Sequence, residues 1–188
     1  MQYDILFETY PYLETERLIL KKIEASDADG VFNLYSNDEV FRYCGIIPKH
    51  NYETVRKMIG HFERDYNKRQ NIKLGIFSKE DSGKFTGIIE MMNFKNKVNM
   101  VTVGYFLAEE YWGRGFATEA LKKLKGHLFE VAAINRIQAE IMPENTASEK
   151  VLLKSGFVCE GLIRQGAFWP GKGVVDLKLF AVLNNENQ

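Results

Sequence analysis

The spacing of apolar and polar residues predicts a strand followed by two helices in the first third of the chain. Residues 14–23 open as a strand after an extended lead-in. Apolar side chains then recur three and four residues apart, which is the period of an amphipathic helix. This pattern predicts one helix from a cap at Ser26 or Asp27 to about Tyr35, and a second helix over about 52–67.

The middle of the chain changes to the alternating pattern of β-strands. Residues 73–78 and 85–94 flank the turn sequence D-S-G-K, and together they predict a hairpin. A third strand over 98–107 follows another tight turn at residues 95–97, and its side chains alternate between two faces. We therefore expect an antiparallel run of three strands.

The second half of the chain alternates between the two patterns. Helical spacing predicts helices over 117–131 and 145–155. Strands are expected over 136–142, 157–164 and 174–183. The whole order of elements predicts an α/β fold, with a mixed and mostly antiparallel sheet flanked by helices.

A single domain is expected over residues 1–188, because no linker, repeat or low-complexity segment divides the chain. Residues 1–12 form an N-terminal extension before the first strand, and residues 184–188 form a short polar tail that we expect to be frayed. The 45% hydrophobic and 27% charged fractions are typical of a soluble globular domain.

The charge balance and the cysteine content narrow the function classes. Lys+Arg 25 against Asp+Glu 25 leaves no net charge, so no global field attracts nucleic acid or an anionic membrane. No apolar stretch approaches the roughly 20 residues that span a bilayer, and the N-terminus lacks the pattern of a signal peptide. The two cysteines have no metal-binding spacing. We therefore expect a cytoplasmic protein without a metal, a membrane partner or a direct nucleic-acid partner.

The stretch Y-W-G-R-G-F-A-T-E-A, which starts at Tyr111, places two glycines directly before a helical pattern. No Ser, Thr, Asp or Asn caps this helix, so the free N–H donors of its first turn need water or a ligand. Those donors favour a phosphate, for which Gly113 and Gly115 leave room and Arg114 adds a cation. Thr118 stands where a dinucleotide-binding fingerprint would need a third glycine. The alternative is a tight turn into a surface helix, with the glycines present for geometry alone.

This stretch, with the Y-F-L-A-E-E before it, resembles the acetyl-coenzyme A (acetyl-CoA) signature of the GNAT acyltransferase superfamily. The family's loop runs Q/R-x-x-G-x-G/A, and Gly115-Phe116-Ala117 occupies its second half, whereas Trp112 stands at the first position. The form W-G-R-G-F-A-T-E-A resembles the branch of the ribosomal-protein N-terminal (serine/alanine) acetyltransferases. The resemblance runs from E-T-E-R-L-I-L near the start, through N-T-A-S and S-G-F, to the end of the chain.

The resemblance implies that acetyl-CoA is the cosubstrate and that the glycine turn binds its pyrophosphate. The implied donors are the backbone N–H groups of the turn: Trp112, Gly113, Arg114, Gly115, Phe116, Ala117 and Thr118. The pantetheine arm then lies beside the strand 98–107, in a gap where this strand splays from the strand 136–142. That arm matches about five strand residues at about 3.3 Å each. The thioester is therefore expected near Tyr105, Phe106 and Leu107, where a backbone N–H polarises its carbonyl.

Two side chains at the start of the last helix are candidates for the same site. The resemblance implies that Asn145 contacts the pantetheine arm and that Ser148 approaches the sulfur, where it could protonate the leaving thiolate. A structural role is the alternative, because Asn145 or Thr146 can cap the helix and T-A-S-E is a capping box from Thr146 to Glu149. Many GNAT enzymes place a tyrosine acid at the position of Leu152, so that acid is absent here.

Glu90 is the candidate general base. It lies on the strand paired with the strand 98–107, which we call the coenzyme strand because the resemblance implies that the coenzyme lies beside it. A carboxylate there could take a proton directly or through water. A solvent-facing position on that strand is the alternative. Glu119 lies in the first turn of the helix behind the glycines, where the helix dipole favours a carboxylate, so we interpret it as structural.

The acceptor is expected to be an amine that attacks the thioester directly, without a covalent enzyme intermediate. At pH 7, deprotonation costs about 1 kcal/mol for an α-amine and about 4.5 kcal/mol for a lysine. A site without an obvious strong base therefore favours the α-amine of a protein or peptide N-terminus. Two alternatives are an acetyltransferase of a small-molecule amine, such as a polyamine or a drug, and a non-catalytic acyl-CoA-binding module. The sequence leaves the oligomeric state, monomer or homodimer, open.

Overall fold

The computed structural model describes residues 3–187, so the outermost residues of the predicted extension and tail, 1, 2 and 188, lie outside it. The strands are β1 (Leu13–Glu14), β2 (Leu18–Lys22), β3 (Ile72–Ser78), β4 (Lys84–Lys95), β5 (Met100–Leu107), β6 (Arg136–Ile141), β7 (Val158–Trp169) and β8 (Gly173–Leu183). The helices are α1 (Ala28–Tyr35), α2 (Tyr52–Asn67), α3 (Phe116–Glu130) and α4 (Thr146–Lys154). Within the described residues, every helix is too short or too polar to cross a membrane.

The eight strands form one sheet in the order β1-β2-β3-β4-β5-β6-β8-β7. Neighbouring strands are antiparallel except for β5 and β6, which are parallel. The β5–β6 ladder runs from Met100 opposite Arg136 to Thr102 opposite Gln138 and then stops, although both strands continue. The mixed, mostly antiparallel sheet and its splayed strand pair are therefore confirmed.

Each face of the sheet carries a hydrophobic core. Leu121 of α3 and Val101 of β5 belong to one fully buried cluster. Val31 of α1, Val55 of α2 and Ile88 of β4 belong to a second cluster. Successive strand residues point to opposite faces, so β4 contributes to both clusters and the helices cover both sides of the sheet.

The predicted strand 14–23 is interrupted in the structure. The backbone N–H of Thr15 donates to the carbonyl of Leu18 at 2.9 Å, and the N–H of Leu18 donates to the Thr15 hydroxyl at 2.8 Å. The chain turns there, so that Leu13 of β1 lies opposite Leu20 of β2. The prediction of one strand was wrong because a threonine side chain can close a turn without glycine or proline.

The other boundaries differ from the prediction by shorter segments. A 3₁₀ turn over Ala25–Asp27 precedes α1. Asp27 is the N-cap residue of α1, as predicted, but its carboxylate accepts a hydrogen bond from the N–H of Glu24 at 2.7 Å rather than from an N–H of the helix. The tight turn predicted before the third strand is a 3₁₀ turn over Asn96–Val98. β7 extends to Trp169, beyond its predicted end, because its hairpin with β8 continues up to the connecting turn.

Both ends of the described chain pack against the domain. Tyr3, Leu6 and Phe7 are buried in the cluster that contains α3, so the N-terminal extension contributes to the core. At the other end, Asn184–Asn187 form a 3₁₀ helix whose first residue donates its backbone N–H to the carbonyl of Asn135 at 3.0 Å.

Candidate active site

The glycine turn joins the end of β5 to the start of α3. Gly113 and Gly115 have φ angles of 72° and 83°, in the left-handed region that glycine adopts without strain. Gly115 is the N-cap residue and has no side chain, and the carbonyl of Gly115 accepts its helical hydrogen bond from Glu119 at 3.0 Å. The N–H groups of residues 116–118 therefore have no acceptor within the helix, as the sequence predicts.

The space above the turn fits a phosphate ligand. A Cβ atom built on Gly113 would meet no heavy atom within 4 Å, and one built on Gly115 would meet only the Arg17 Nη2, at 3.5 Å. Packing within the described residues therefore does not require these glycines, whereas their left-handed φ angles do. Free donors, a helix N-terminus and open space are what a pyrophosphate needs.

Two arginines stand beside the turn. The guanidinium groups of Arg17 and Arg114 lie 4.9 and 4.8 Å from the centroid of the Phe116 ring. Arg17 Nη1 donates to the carbonyl of Arg114 at 3.1 Å, and Arg114 pairs with Glu80 at 2.9 Å. Arg114 was predicted from the sequence, but Arg17 was not, because it is distant along the chain and its only signal is its place in E-T-E-R-L-I-L.

Hydrogen bonds to Glu119 connect the first turn of α3 to the β1–β2 turn. Its carboxylate accepts hydrogen bonds from the Thr15 hydroxyl at 2.5 Å and from Arg17 Nε at 2.7 Å and backbone N–H at 3.1 Å. Burial alone would raise the pKa of Glu119, but the hydrogen bonds from Thr15 and Arg17 outweigh it and hold that pKa below its usual value. These contacts agree with the structural role predicted for Glu119.

Trp112 occupies the position where the family has glutamine or arginine. Its indole Nε1 donates a hydrogen bond to the carbonyl of Leu107, the last residue of β5, at 2.8 Å. This hydrogen bond connects the turn to the end of β5. The departure from the family pattern therefore keeps the turn in place by a contact within the chain.

The start of α4 faces the unpaired part of β5. The hydroxyl of Tyr105 donates to the backbone carbonyl of Ser148 at 3.2 Å, across the region where β5 and β6 no longer pair. Burial raises the pKa of Tyr105 well above its usual range, so this phenol stays protonated. Phe106 points the other way and packs against Phe41, with the ring centroids 5.5 Å apart.

Asn145 caps α4, which was one of the two roles open to it. Its side-chain oxygen accepts a hydrogen bond from the N–H of Ser148 at 3.1 Å. The capping box predicted from Thr146 to Glu149 is wrong, because the cap is one residue earlier and Glu149 pairs with Lys178 at 2.9 Å. Contacts of Asn145 with the pantetheine arm and the catalytic role of Ser148 stay predictions.

Glu90 is buried, with 5% of its surface exposed, so the solvent-facing alternative is wrong. It lies on β4 between Lys73 of β3 and Gly104 of β5, and its carboxylate forms an ion pair with the Lys73 ammonium. A Cβ atom on Gly104 would come within 3.2 Å of Glu90 Oε1, so the carboxylate lies directly over β5. Lys73 was not predicted as a site residue, because a lysine in a strand is usually solvent-exposed.

A cavity of about 370 Å³ opens where β5 and β6 diverge. Its lining residues come from β4, β5 and β6: Asn93, Phe94, Lys95, Thr102, Gln138 and Glu140. The buried hydroxyl of Thr102 has no hydrogen-bond partner among the described residues. Thr102 and Gly104 are two apart on β5 and share a face, so the cavity lies on the same side of the sheet as Glu90. No local sequence pattern predicts this cavity, because it results from the divergence of β5 and β6.

The acidic, histidine and cysteine side chains within residues 3–187 do not form a cluster of three or more that could hold a metal. The groups that the described residues bring to this region are the backbone donors at the glycine turn, the buried Glu90 carboxylate with Lys73, and the hydroxyl of Ser148.

Comparisons with known proteins agree with this geometry. The family model described as acetyltransferase (GNAT) domain matches residues 17–158. The chain is 36% identical over 162 residues to the uncharacterized N-acetyltransferase YoaA of Bacillus subtilis, an alignment that covers 86% of this chain and 91% of that protein. The solved structure of Mycobacterium smegmatis RimJ in complex with CoA-disulfide superposes with a TM-score of 0.82 at 22% identity, covering 94% of this chain and 87% of the other.

Two further relatives have named substrates. The ribosomal-protein-serine acetyltransferase of Escherichia coli is 28% identical over 102 residues, which are 54% of this chain and 56% of that protein. The spermidine N(1)-acetyltransferase of Vibrio cholerae is 22% identical over 171 residues, covering 90% of this chain and 95% of that protein. The glycine turn, the splayed strands and the family match lead to one conclusion: the chain belongs to the GNAT acetyltransferase family and is an N-acetyltransferase of that type.

Proposed function

We propose that the enzyme transfers the acetyl group of acetyl-CoA directly to the α-amine of a protein or peptide N-terminus, in the manner of a ribosomal-protein acetyltransferase. The observation that carries this proposal is the buried Glu90 carboxylate, which lies over the coenzyme strand and is already paired with Lys73. Acceptors of this kind are made in the cytoplasm, which is where the enzyme would act.

The coenzyme would bind along the glycine turn and the gap behind it. The free N–H donors of residues 116–118 would hold the pyrophosphate, with Arg114 close by. The turn of Trp112, Gly113 and Gly115 would provide the open space that the pyrophosphate occupies. The pantetheine arm would follow the unpaired part of β5, with Asn145 beside it. The RimJ complex with CoA-disulfide, which shares the fold, supports binding of the coenzyme by this enzyme.

The chemical step would be a direct attack of the neutral amine nitrogen on the thioester carbonyl carbon. A C–N bond forms, the C–S bond breaks, and CoA leaves as a thiolate. Backbone N–H groups near Phe106 and Leu107 would stabilise the developing oxyanion. Glu90 would accept the proton that the amine loses, directly or through water, and Ser148 would donate a proton to the sulfur.

The ion pair of Glu90 with Lys73 favours an α-amine as the acceptor. A carboxylate with a lysine beside it is a weak base and offers little net charge to attract a polycation. An α-amine costs about 1 kcal/mol to deprotonate at pH 7, whereas an alkylamine like that of lysine costs about 4.5 kcal/mol. A weak base is sufficient to deprotonate an α-amine but not an alkylamine.

A small polyamine is the second candidate acceptor. The carboxylate of Glu140 lines the cavity at the splay, and a second carboxylate could hold the distal ammonium group of a polyamine. The spermidine acetyltransferase relative, which spans nearly the whole chain, supports this possibility.

Release of CoA thiol from acetyl-CoA tests the proposal. The acceptors are peptides with Ser, Ala or Met at the N-terminus, the same peptides with a blocked α-amine and an internal lysine, and spermidine. We expect turnover with the free N-termini and none with their blocked counterparts. Turnover with spermidine alone would replace the proposal by the polyamine candidate, and turnover with the blocked peptides would contradict the argument from amine basicity.

A further inference from the structure

We infer that Lys73 is a positioning residue of the active site, whose ammonium holds the Glu90 carboxylate charged and fixed over Gly104. This inference rests on the proposed role of Glu90 as the base. Lys73 lies on β3, outside both the glycine turn and the start of α4, and the inference gives it a function.

The three residues form a row across neighbouring strands. Lys73 lies opposite Glu90 in the β3–β4 ladder, and Glu90 lies opposite Gly104 in the β4–β5 ladder. Residues directly opposite each other in an antiparallel pair share a face, so the ammonium and the carboxylate point to the same side of the sheet. Gly104 has no side chain, and this absence lets the carboxylate lie over the strand that borders the gap.

Because the pair is buried, the charged state of the Glu90 carboxylate depends on Lys73. The side chains of Lys73 and Glu90 are 14% and 7% exposed. An unpaired carboxylate at this depth would become protonated, because burial disfavours the charged form, and a protonated carboxyl group cannot act as a base. The Lys73 ammonium is the cation that the structure pairs with Glu90, and it counteracts this effect.

The surroundings keep the lysine itself charged at neutral pH. Burial lowers the pKa of Lys73 to about 8, and the Asp65 carboxylate on α2 acts in the opposite direction. The ring of Phe62, also on α2, has its centroid 5.6 Å from the ammonium nitrogen. The Tyr10 hydroxyl donates to the backbone carbonyl of Lys73 at 3.0 Å, which holds the strand without competing for the ammonium. Tyr66, which is also on α2, stacks on Tyr10 with the ring centroids 4.2 Å apart.

The pH dependence of kcat/KM measures the effect. With an N-terminal peptide as acceptor, the wild-type logarithm of kcat/KM should rise with a slope of 1 between pH 5 and 7, because the amine alone must lose a proton. In Lys73→Met, the pKa of Glu90 should move up by about 1 to 3 pH units. The slope should then approach 2 below that pKa. Lys73→Arg should restore the wild-type profile, and acetyl-CoA affinity should stay within about twofold in both variants because neither contacts the glycine turn.

Lys22→Met is the matched control, because Lys22 on β2 also reaches α2, where it pairs with Glu63 at 2.8 Å in an exposed position. This control should retain the wild-type pH profile. An unchanged profile and rate in Lys73→Met, with Glu90→Gln inactive, would overturn the inference and leave the role of Glu90 intact. Wild-type turnover in Glu90→Gln would instead remove the base assignment of the proposed function.

Folding of the variants gives an independent test. Lys73→Met leaves a buried carboxylate without a partner, which is more destabilising than replacing the whole pair by neutral groups. If Lys73→Met fails to fold, the double variant Lys73→Met/Glu90→Gln should fold. Failure of both would show that Lys73 acts through packing, and the inference would be wrong.

Discussion

The Tyr105 hydroxyl donates a hydrogen bond to the backbone carbonyl of Ser148 at 3.2 Å, and this bond joins β5 to α4 where β5 and β6 have separated. The same region is the gap in which the pantetheine arm is expected. The bond therefore fixes the first turn of α4, including its candidate catalytic hydroxyl, relative to the coenzyme strand.

Tyr105→Phe should weaken both the fold and the coenzyme site. Removing the hydroxyl deletes one hydrogen bond but keeps the ring, so the free energy of unfolding should fall by about 0.5–1.5 kcal/mol. The affinity for acetyl-CoA should fall by about two- to tenfold, because α4 is held less firmly beside the gap. Urea unfolding and calorimetric binding measure the two effects. Tyr12→Phe, at an exposed tyrosine, is the control, and equal behaviour of the two variants would argue against a bridging role for Tyr105.

Gly115→Glu should abolish acetyl-CoA binding. The new carboxylate would lie at the free N–H donors of α3, where it repels the pyrophosphate and occupies its space. The substitution also strains the backbone, because residue 115 has a φ of 83°. Gly171→Glu carries the same strain at a φ of 76°, and a Cβ atom there would meet no heavy atom within 4 Å, but residue 171 lies in the β7–β8 turn. Calorimetry should find no binding in the first variant and wild-type binding in the second, and tight binding by Gly115→Glu would refute the site.

The periodic elements of the fold could be predicted from the sequence, because local spacing determines them. The predicted bounds of α2 match the structure, and the glycine turn before α3 was recognised from its two glycines and its missing cap. The turn at Thr15 was missed, because a side-chain hydrogen bond closes it rather than a residue with special φ preferences. Local patterns therefore predict elements well and side-chain-closed turns poorly.

Only those parts of the candidate site that depend on local sequence could be predicted. Glu90 was identified, but its pairing with Lys73 depends on the β3–β4 register, which the hydrophobic pattern leaves open. Arg17 reaches the glycine turn from a distant part of the chain, and the cavity beside Thr102 exists because two strands diverge. Such features arise from tertiary geometry, so no local pattern contains them.

Ser148→Ala should lower turnover without weakening coenzyme binding. The N–H of residue 148 still donates to Asn145, so the cap of α4 is preserved while the hydroxyl is lost. If the hydroxyl protonates the departing thiolate, kcat should fall by about a hundredfold. Thr146→Ala removes an exposed hydroxyl from the same helical turn and should retain full activity. Steady-state kinetics with a fixed peptide acceptor compares the two, and equal rates in both variants would exclude Ser148 from catalysis.

Glu119→Gln should reduce stability in a pH-dependent way. The pKa of Glu119 is held below its usual value of about 4.5 by Thr15 and Arg17. A carboxylate with a lowered folded-state pKa contributes stability above its unfolded pKa and loses it as the pH falls through the folded pKa. Wild type should therefore exceed Glu119→Gln by about 1–3 kcal/mol at pH 7, and the difference should shrink below about pH 4.5.

Urea unfolding at pH 7, 5 and 4 measures this difference, with Glu130→Gln as the control. Glu130 is the exposed last residue of the same helix, so its substitution should change the free energy of unfolding by less than about 0.5 kcal/mol at every pH. Arg17→Met should reproduce the Glu119→Gln loss at pH 7, because it removes the same contacts from the other side. A stability difference between wild type and Glu119→Gln that stays constant down to pH 4 would mean that the carboxylate charge does not fasten α3 to the β1–β2 turn.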